Sequence, residues 1–148
     1  MLTNKAKYGL KALLYLAARP DRPALISEIA EHESIPKKFL DIILLDLKNS
    51  GLLASKKGKG GGYQLARQPA QIMVGNVVRI LDGPLAPIAC VSRTAYRPCP
   101  DCRSESACKV RAVMSDVRDA IANILDNTSL SDMAARADRQ DNGYMYHI

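Results

Sequence analysis

The sequence has no tryptophan and a single phenylalanine among its 148 residues. A core so poor in rings has to be filled by Leu, Ile, Val and Ala, which points to helices. No stretch reaches the roughly 18 consecutive apolar residues of a membrane span. The opening residues, Met1-Leu2-Thr3-Asn4-Lys5, lack the basic, then apolar, then small order of a secretory signal. The expectation is a cytoplasmic protein with no membrane partner. Histidine is almost absent, and His32 and His147 stand far apart, so both read as surface residues. Cysteine is limited to four residues. Disulfides are rare in the cytosol, so these four are expected to be ligands or redox thiols rather than covalent staples. Internal repeats are also absent.

What the sequence does carry is positive charge, unevenly placed. The net charge is +6. Residues 1–67 hold 12 Lys and Arg against 6 Asp and Glu, whereas residues 68–148 hold 9 of each. A basic half joined to a neutral half is the footprint expected of a protein that meets a polyanion.

Apolar spacing gives the elements. Residues 3–18 read as a helix with Thr3 at its start and Leu10, Leu13, Leu14 and Ala17 on one face. Pro20 and Pro23 end it. A short helix over 25–33 follows, with Ile26, Ile29 and Ala30 apolar and Ser27 as a possible cap. After a tight turn, Pro36 suits the first position of a third helix that runs to about Ser50. Leu40, Ile43, Leu44 and Leu47 face inward, and Gly51 stops it. Two helices separated by a tight turn have helix-turn-helix spacing, and the later one would be the recognition element. Two short strands, about 52–56 and 62–66, then flank a loop of glycines and lysines, which is the pattern of a wing.

A fourth helix is expected over 71–82, from Ile72, Val74, Val77, Val78 and Leu81, ending at Gly83-Pro84. Residues 84–107 carry four prolines and three of the cysteines, and read as a loop held by something other than a core. In the helix over 108–126, Val110, Met114, Val117, Ile121 and Ile124 step by 4, 3, 4 and 3, a coiled-coil seam. Val113, Ala120 and Leu125 widen it. So long a stripe exceeds what a domain of this size needs to cover itself, and a homodimer is expected. Ser129 and Asp132 have capping-box spacing for a last short helix. The polar end from Arg136 is expected to be loose. The fold class is mainly α with a small β wing. A winged helix-turn-helix DNA-binding domain occupies 1–83 and a cysteine-bearing sensor loop 84–107. The dimerisation helix and short terminal helix occupy 108–135, and a polar tail 136–148.

Recognition helices present their first turns to base edges while flanking cations meet phosphates. Lys37, Lys38 and Asp41 hold those positions, with Ile42 beside them. Asp41 reads equally well as an acceptor from cytosine or as one half of a salt bridge. Phe39 reads as core. Lys56, Lys57 and Lys59 would follow the phosphate backbone, and Gly60, Gly61 and Tyr63 complete the candidate contact set in double-stranded DNA. Lys5, Lys7 and Lys11 add cations on the first helix. The alternative for the head is a winged helix used for protein contacts.

Three stretches carry a resemblance. They are Leu2-Thr3-x-Lys5-x-x-Tyr8-Gly9-Leu10, then Ile35-Pro36-x-x-Phe39-Leu40-x-x-Ile43-x-x-Leu47-x-x-x-Gly51-Leu52, and last Lys57-Gly58-x-x-Gly61-Gly62-Tyr63-x-Leu65-Ala66. Together they resemble the Rrf2 family of bacterial transcription regulators over roughly residues 1–133. The resemblance implies a homodimer on a palindromic operator, with swapped dimerisation through the long helix. Some members bind an iron–sulfur cluster and others lack one.

Cys90, Cys99, Cys102 and Cys108 are spaced C-x8-C-x2-C-x5-C. Converging thiolates are what iron–sulfur chemistry uses. Arg93, Arg97, Arg103 and Lys109 would offset thiolate charge and lower the thiol pKa values. Against the cluster-binding relatives, Cys90, Cys102 and Cys108 match the three loop cysteines. The family's fourth ligand is missing. Arg111 stands where some members have His, and Lys5 and Lys7 lie near where others have a carboxylate. Cys99 is the substitute. Three readings stay open: a 2Fe-2S or 4Fe-4S cluster, a Cys₄ zinc site, or a cofactor-free thiol switch at Cys99 and Cys102. Control by a partner metabolic enzyme is a further alternative. An oxidoreductase built on Cys99-x-x-Cys102 would need alternating strands and helices, which are lacking, so the chain is not expected to be an enzyme.

Overall fold

The computed structural model describes residues 2–143. Helix α1 (Asn4–Ala17) starts at Thr3, whose hydroxyl accepts from the Ala6 N–H at 3.3 Å. The Thr3 N–H and hydroxyl also donate to Asp82, 79 positions away, so one residue caps α1 and ties it to the far side of the head. Helix α2 (Ile26–Glu33) starts with no side-chain cap at its first residue; instead Glu28 reaches back to the Leu25 N–H at 2.9 Å. Ser27 is therefore inside the helix, not its cap. Ser34 ends α2 in the left-handed region, and the Ile35 N–H closes the turn on Ala30 O at 2.9 Å.

Helix α3 (Lys37–Asn49) begins one residue later than expected, with Pro36 as its cap and Phe39 and Leu40 bonding to the Pro36 carbonyl. Leu40, Ile43, Leu44 and Leu47 are fully buried, as their spacing requires. Strand β1 (Leu53–Lys56) pairs antiparallel with β2 (Gly62–Leu65), with Leu53 opposite Leu65 and Lys56 opposite Gly62. Ala24 exchanges two backbone bonds with Tyr63, of 2.9 and 2.8 Å, and so extends this ribbon to the loop before α2. Gly62 permits this approach: its φ is +138°, and a Cβ there would lie 2.3 Å from the Ala24 carbonyl oxygen.

Helix α4 (Val74–Asp82) is shorter than the expected 71–82. A single tight turn, Pro69–Gln71, precedes it, and Ile72 stays extended because its carbonyl bonds to the segment that starts the last helix. Leu130 N–H donates to Ile72 O at 2.8 Å, and Val74 N–H to Thr128 O at 2.9 Å. Helix α5 (Lys109–Asp126) touches α4 and a short turn at Ala89–Val91, while α6 (Leu130–Gly143) returns to α1 and the 69–71 turn. The Ser129–Asp132 box forms: Ser129 donates from both N–H and hydroxyl to Asp132, and receives the Asp132 N–H at 3.0 Å. The helix it starts is longer than expected and continues through Arg136 to Gly143. Residues 144–148, His147 among them, lie outside the described residues.

One core joins α1, α2, α3, α4, β1 and Leu130. The 84–107 segment is less loose than its prolines suggest, since Cys90 and Val91 are buried. Its grip comes from α5: Arg118 donates to Val91 O at 2.6 Å and Arg111 to Cys90 O at 3.4 Å. Both carbonyls would otherwise be difficult to satisfy in a buried turn.

Candidate functional site

At the head, Lys37, Lys38 and Asp41 lie exposed along the first turns of α3. None of the three forms an ion pair among the described residues, so of the two readings of Asp41 a salt bridge inside the chain is not seen there. Phe39 is half-buried and meets Tyr8 edge-on, ring centres 5.7 Å apart. The first-helix cations separate into two kinds. Lys5 is held by Asp46 at 2.7 Å and Lys11 by Glu33 at 3.5 Å. Lys7 is exposed beside the Tyr8 ring. Two of the three expected phosphate contacts are thus already committed to acids of the same chain.

In the wing, Lys56, Lys57, Lys59 and Gly60 are all exposed. Gly61 is not. It is buried under the loop, with the Lys56 carbonyl oxygen 2.2 Å from where a Cβ would be. It shapes the tip rather than presenting itself. Tyr63 packs against the core and holds Ala24. The outward contact set is therefore lysine and Gly60, with Gly61 and Tyr63 behind it.

The four cysteines, all within 19 residues of chain, line one cavity of about 460 Å³ together with Ile88, Asp101, Arg103 and Arg111. Cys90 is buried, Cys102 and Cys108 are half-buried and Cys99 is exposed. Cys108 is also the cap of α5, its sulfur accepting the Arg111 N–H at 3.3 Å. Cys99 and Cys102 are joined by a turn, Cys102 N–H to Cys99 O at 3.2 Å. The expected lowering of thiol pKa is reversed at Cys99. The neighbouring Cys90 thiol pushes it up most, and loss of solvation, Asp101 and Cys102 add to this. Nearby Arg93 is meanwhile paired with Asp119 at 3.0 Å.

Among the described residues no three His, Cys, Asp or Glu side chains converge on a point that would hold a single metal ion. Four soft thiol donors on one cavity, one already accepting a backbone N–H, fit the donor chemistry of an iron–sulfur cluster.

Helix α5 leads from this cavity. Val110, Val113, Val117, Ile121 and Ile124 are exposed, and no residue of α5 is fully buried. Met114, expected in the same seam, is half-buried. The half-buried face is Arg111, Arg118, Ala122 and Leu125, one residue and hence about 100° round from the apolar stripe. Arg118 and Arg93 hold Asp119 below the usual carboxylate range, the Arg118 hydrogen bond contributing most. At the other end, Arg79 of α4 makes a bidentate pair with Asp126, 2.6 and 2.9 Å. That hydrogen bond lowers the Asp126 pKa and raises that of Arg79. These arginine ties were not read from the sequence. The available signal was Arg111 and Arg118, seven residues apart and one position off the apolar stripe.

Residues 2–136 match the family described as "Rrf2: Iron-dependent Transcriptional regulator". The putative HTH-type transcriptional regulator rrf2-like of Rhodobacter capsulatus is 47% identical over 139 residues, covering 91% of this chain and 93% of that one. The HTH-type transcriptional regulator CymR of Bacillus subtilis is 30% identical over 148 residues, 99% of both chains. The solved structure of CymR, the global cysteine regulator of B. subtilis, superposes with a TM-score of 0.76 at 28% identity, over 92% of this chain and 97% of that one. IscR of T. potens gives 0.75 at 28% identity, over 99% and 96%. Among the described residues no helix is long and apolar enough to cross a membrane. These relatives are named as regulators, not enzymes. The chain therefore belongs to the Rrf2 family of bacterial transcriptional regulators, DNA-binding proteins of winged helix-turn-helix build.

Proposed function

We propose that this regulator works as a homodimer on a palindromic operator, and that an iron–sulfur cluster or the redox state of its cysteine loop sets its affinity. One observation carries the reading: α5 is capped by Cys108, exposes an apolar stripe along its length, and ends in the Arg79–Asp126 pair with the head. The thiol cavity, the dimer face and the joint to the reading head thus lie along one helix.

Each part of the chain has a task in this reading. Lys37 and Lys38 lay α3 along the major groove, and Lys56, Lys57 and Lys59 neutralise flanking phosphates. The α5 stripes of two copies bury each other, and the twofold dimer matches a twofold operator. Cys90, Cys99, Cys102 and Cys108 would hold the cluster. Bound there, it supplies a centre whose charge and integrity follow electron supply. Arg111 and Arg118 fix the loop to α5 through the Cys90 and Val91 carbonyls, so the loop and the helix respond as a unit.

A second reading, cluster-free thiol control, is favoured by Cys99 and Cys102, which one tight turn brings together, Cys102 N–H to Cys99 O at 3.2 Å, with Cys99 exposed to an oxidant. Anaerobically purified protein separates the two. Broad absorption near about 300–450 nm, from thiolate-to-iron charge transfer, supports the cluster; colourless protein whose DNA affinity still changes with thiol oxidation supports the second reading. Affinity for duplexes selected from genomic fragments, unchanged by redox state and by Cys102→Ala, would sink both.

A further inference from the structure

The core face of α3 leaves two large aliphatic residues unused. Ile42 is 56% exposed and Leu45 50% exposed, on a helix whose other leucines and isoleucines are fully buried. With about 100° per residue, Ile42 and Leu45 lie some 200° and 140° round from Leu40. Lys38 lies between them at about 160°. These three side chains therefore share the face directed away from the core. Their exposed neighbours are Lys37 on the same turn and Asp41 alongside. The lysines of that surface form no ion pair among the described residues. Charge complementarity selects a polyanion as the occupant of this face, and family membership makes that polyanion DNA. In the major groove the bases offer one apolar feature, the C5-methyl group of thymine.

We propose that Ile42 and Leu45 read thymine methyl groups, so that operator choice depends on C5-methyls as well as on hydrogen-bonding edges. This rests on the reading above that α3 enters the major groove. It adds a chemical specificity that the lysines do not supply, because ammonium groups meet phosphates or guanine edges and are indifferent to a methyl.

The test uses the full-length wild-type protein and a duplex selected from a random library. Each thymidine is replaced singly by deoxyuridine, which removes only the methyl, and affinity is read by fluorescence anisotropy at fixed salt. At one or two positions per half-site the affinity falls about fourfold, the worth of one buried methyl-sized group. In Ile42→Ala or Leu45→Ala the matching position loses this sensitivity, so thymidine and deoxyuridine duplexes bind the variant alike at that position. Both side chains are exposed, so melting curves of the variants should match wild type. Equal affinity of the wild type for every deoxyuridine duplex overturns the proposal, whatever the variants do. So does methyl sensitivity that persists in the double variant. Failure of the major-groove reading itself looks different: Lys37→Ala and Lys38→Ala would then leave duplex affinity and its salt slope untouched.

Discussion

Gly75 faces Asp126 at the end of α5, and replacing it by alanine gives a result whose sign depends on that second residue. A Cβ at Gly75 would lie 2.0 Å from Asp126 Oδ1 and 3.1 Å from Arg79 Nη1. Gly75 is the second residue of α4, so alanine brings a helix-propensity gain of up to about 1 kcal/mol. Against that, the new methyl displaces the Arg79–Asp126 pair. Both side chains of the pair are more than a third exposed, at 38% and 42%. Such a pair is worth roughly 0.2–1 kcal/mol after solvent screening. In the wild-type background the two effects nearly cancel, and stability is expected to change little. With Asp126→Ala the obstructing carboxylate is gone, and Gly75→Ala should stabilise by close to the full propensity gain. For a chain of this length that is about 2–4 °C in melting temperature. The assay is urea unfolding of the four proteins of the cycle, at one protein concentration. An NMR titration of Asp126 gives an independent reading, since its depressed pKa should move back towards the ordinary value of about 3.9 in Gly75→Ala. Equal stabilisation in both backgrounds would refute the claim that Gly75 is kept small by Asp126.

Changing Lys56, Lys57 and Lys59 together to alanine should flatten the dependence of DNA affinity on salt by about 0.9 log units per log salt for each lysine that meets a phosphate; an unchanged slope removes the wing from the interface. Ile121→Glu, in the middle of the exposed α5 stripe, is expected to give a monomer in sedimentation without lowering the stability of the head, because that side chain has no core to leave. Below about pH 4 the protein should lose stability. Asp126 and Asp132 have depressed pKa values when folded, Asp132 through the Ser129 backbone and hydroxyl hydrogen bonds. Their contribution is therefore complete above the unfolded pKa and fades as pH falls through the folded values. Asp132→Asn should show a smaller fall in melting temperature between pH 5 and 3, and an identical fall would show that the capping carboxylate is not a source of the acid sensitivity.

How far the sequence reached depended on how local the deciding contact was. Leu40, Ile43, Leu44 and Leu47 are buried as their spacing required, because a helix of this strength is decided by its own periodicity. The outward turn of Val117, Ile121 and Ile124 was also legible, from a stripe too long for its domain. Ile72 was misplaced into α4 since nothing nearby signals its pairing with Leu130. Lys5 and Lys11 looked free because Asp46 and Glu33, the acids that hold them, lie 41 and 22 positions away in the chain. The meeting of four cysteines at one cavity followed from their loop. The direction of the Cys99 shift did not, because it is set by the Cys90 thiol folded against it rather than by the count of nearby arginines. The length of α6 was missed because its later residues are polar and its stability begins at the Ser129–Asp132 cap.

The two hydrogen bonds between Ala24 and Tyr63 have a mechanical meaning for signalling. They bolt the lysine-tipped ribbon to the segment that leads into α2, so the angle between ribbon and reading helix is locked inside each head. Under the proposed control through α5, this tie favours a signal that swings each head as a unit over one that bends the ribbon against its own head. In the proposed dimer, what is left to tune is the distance and twist between two such grips, each gripping in the same way.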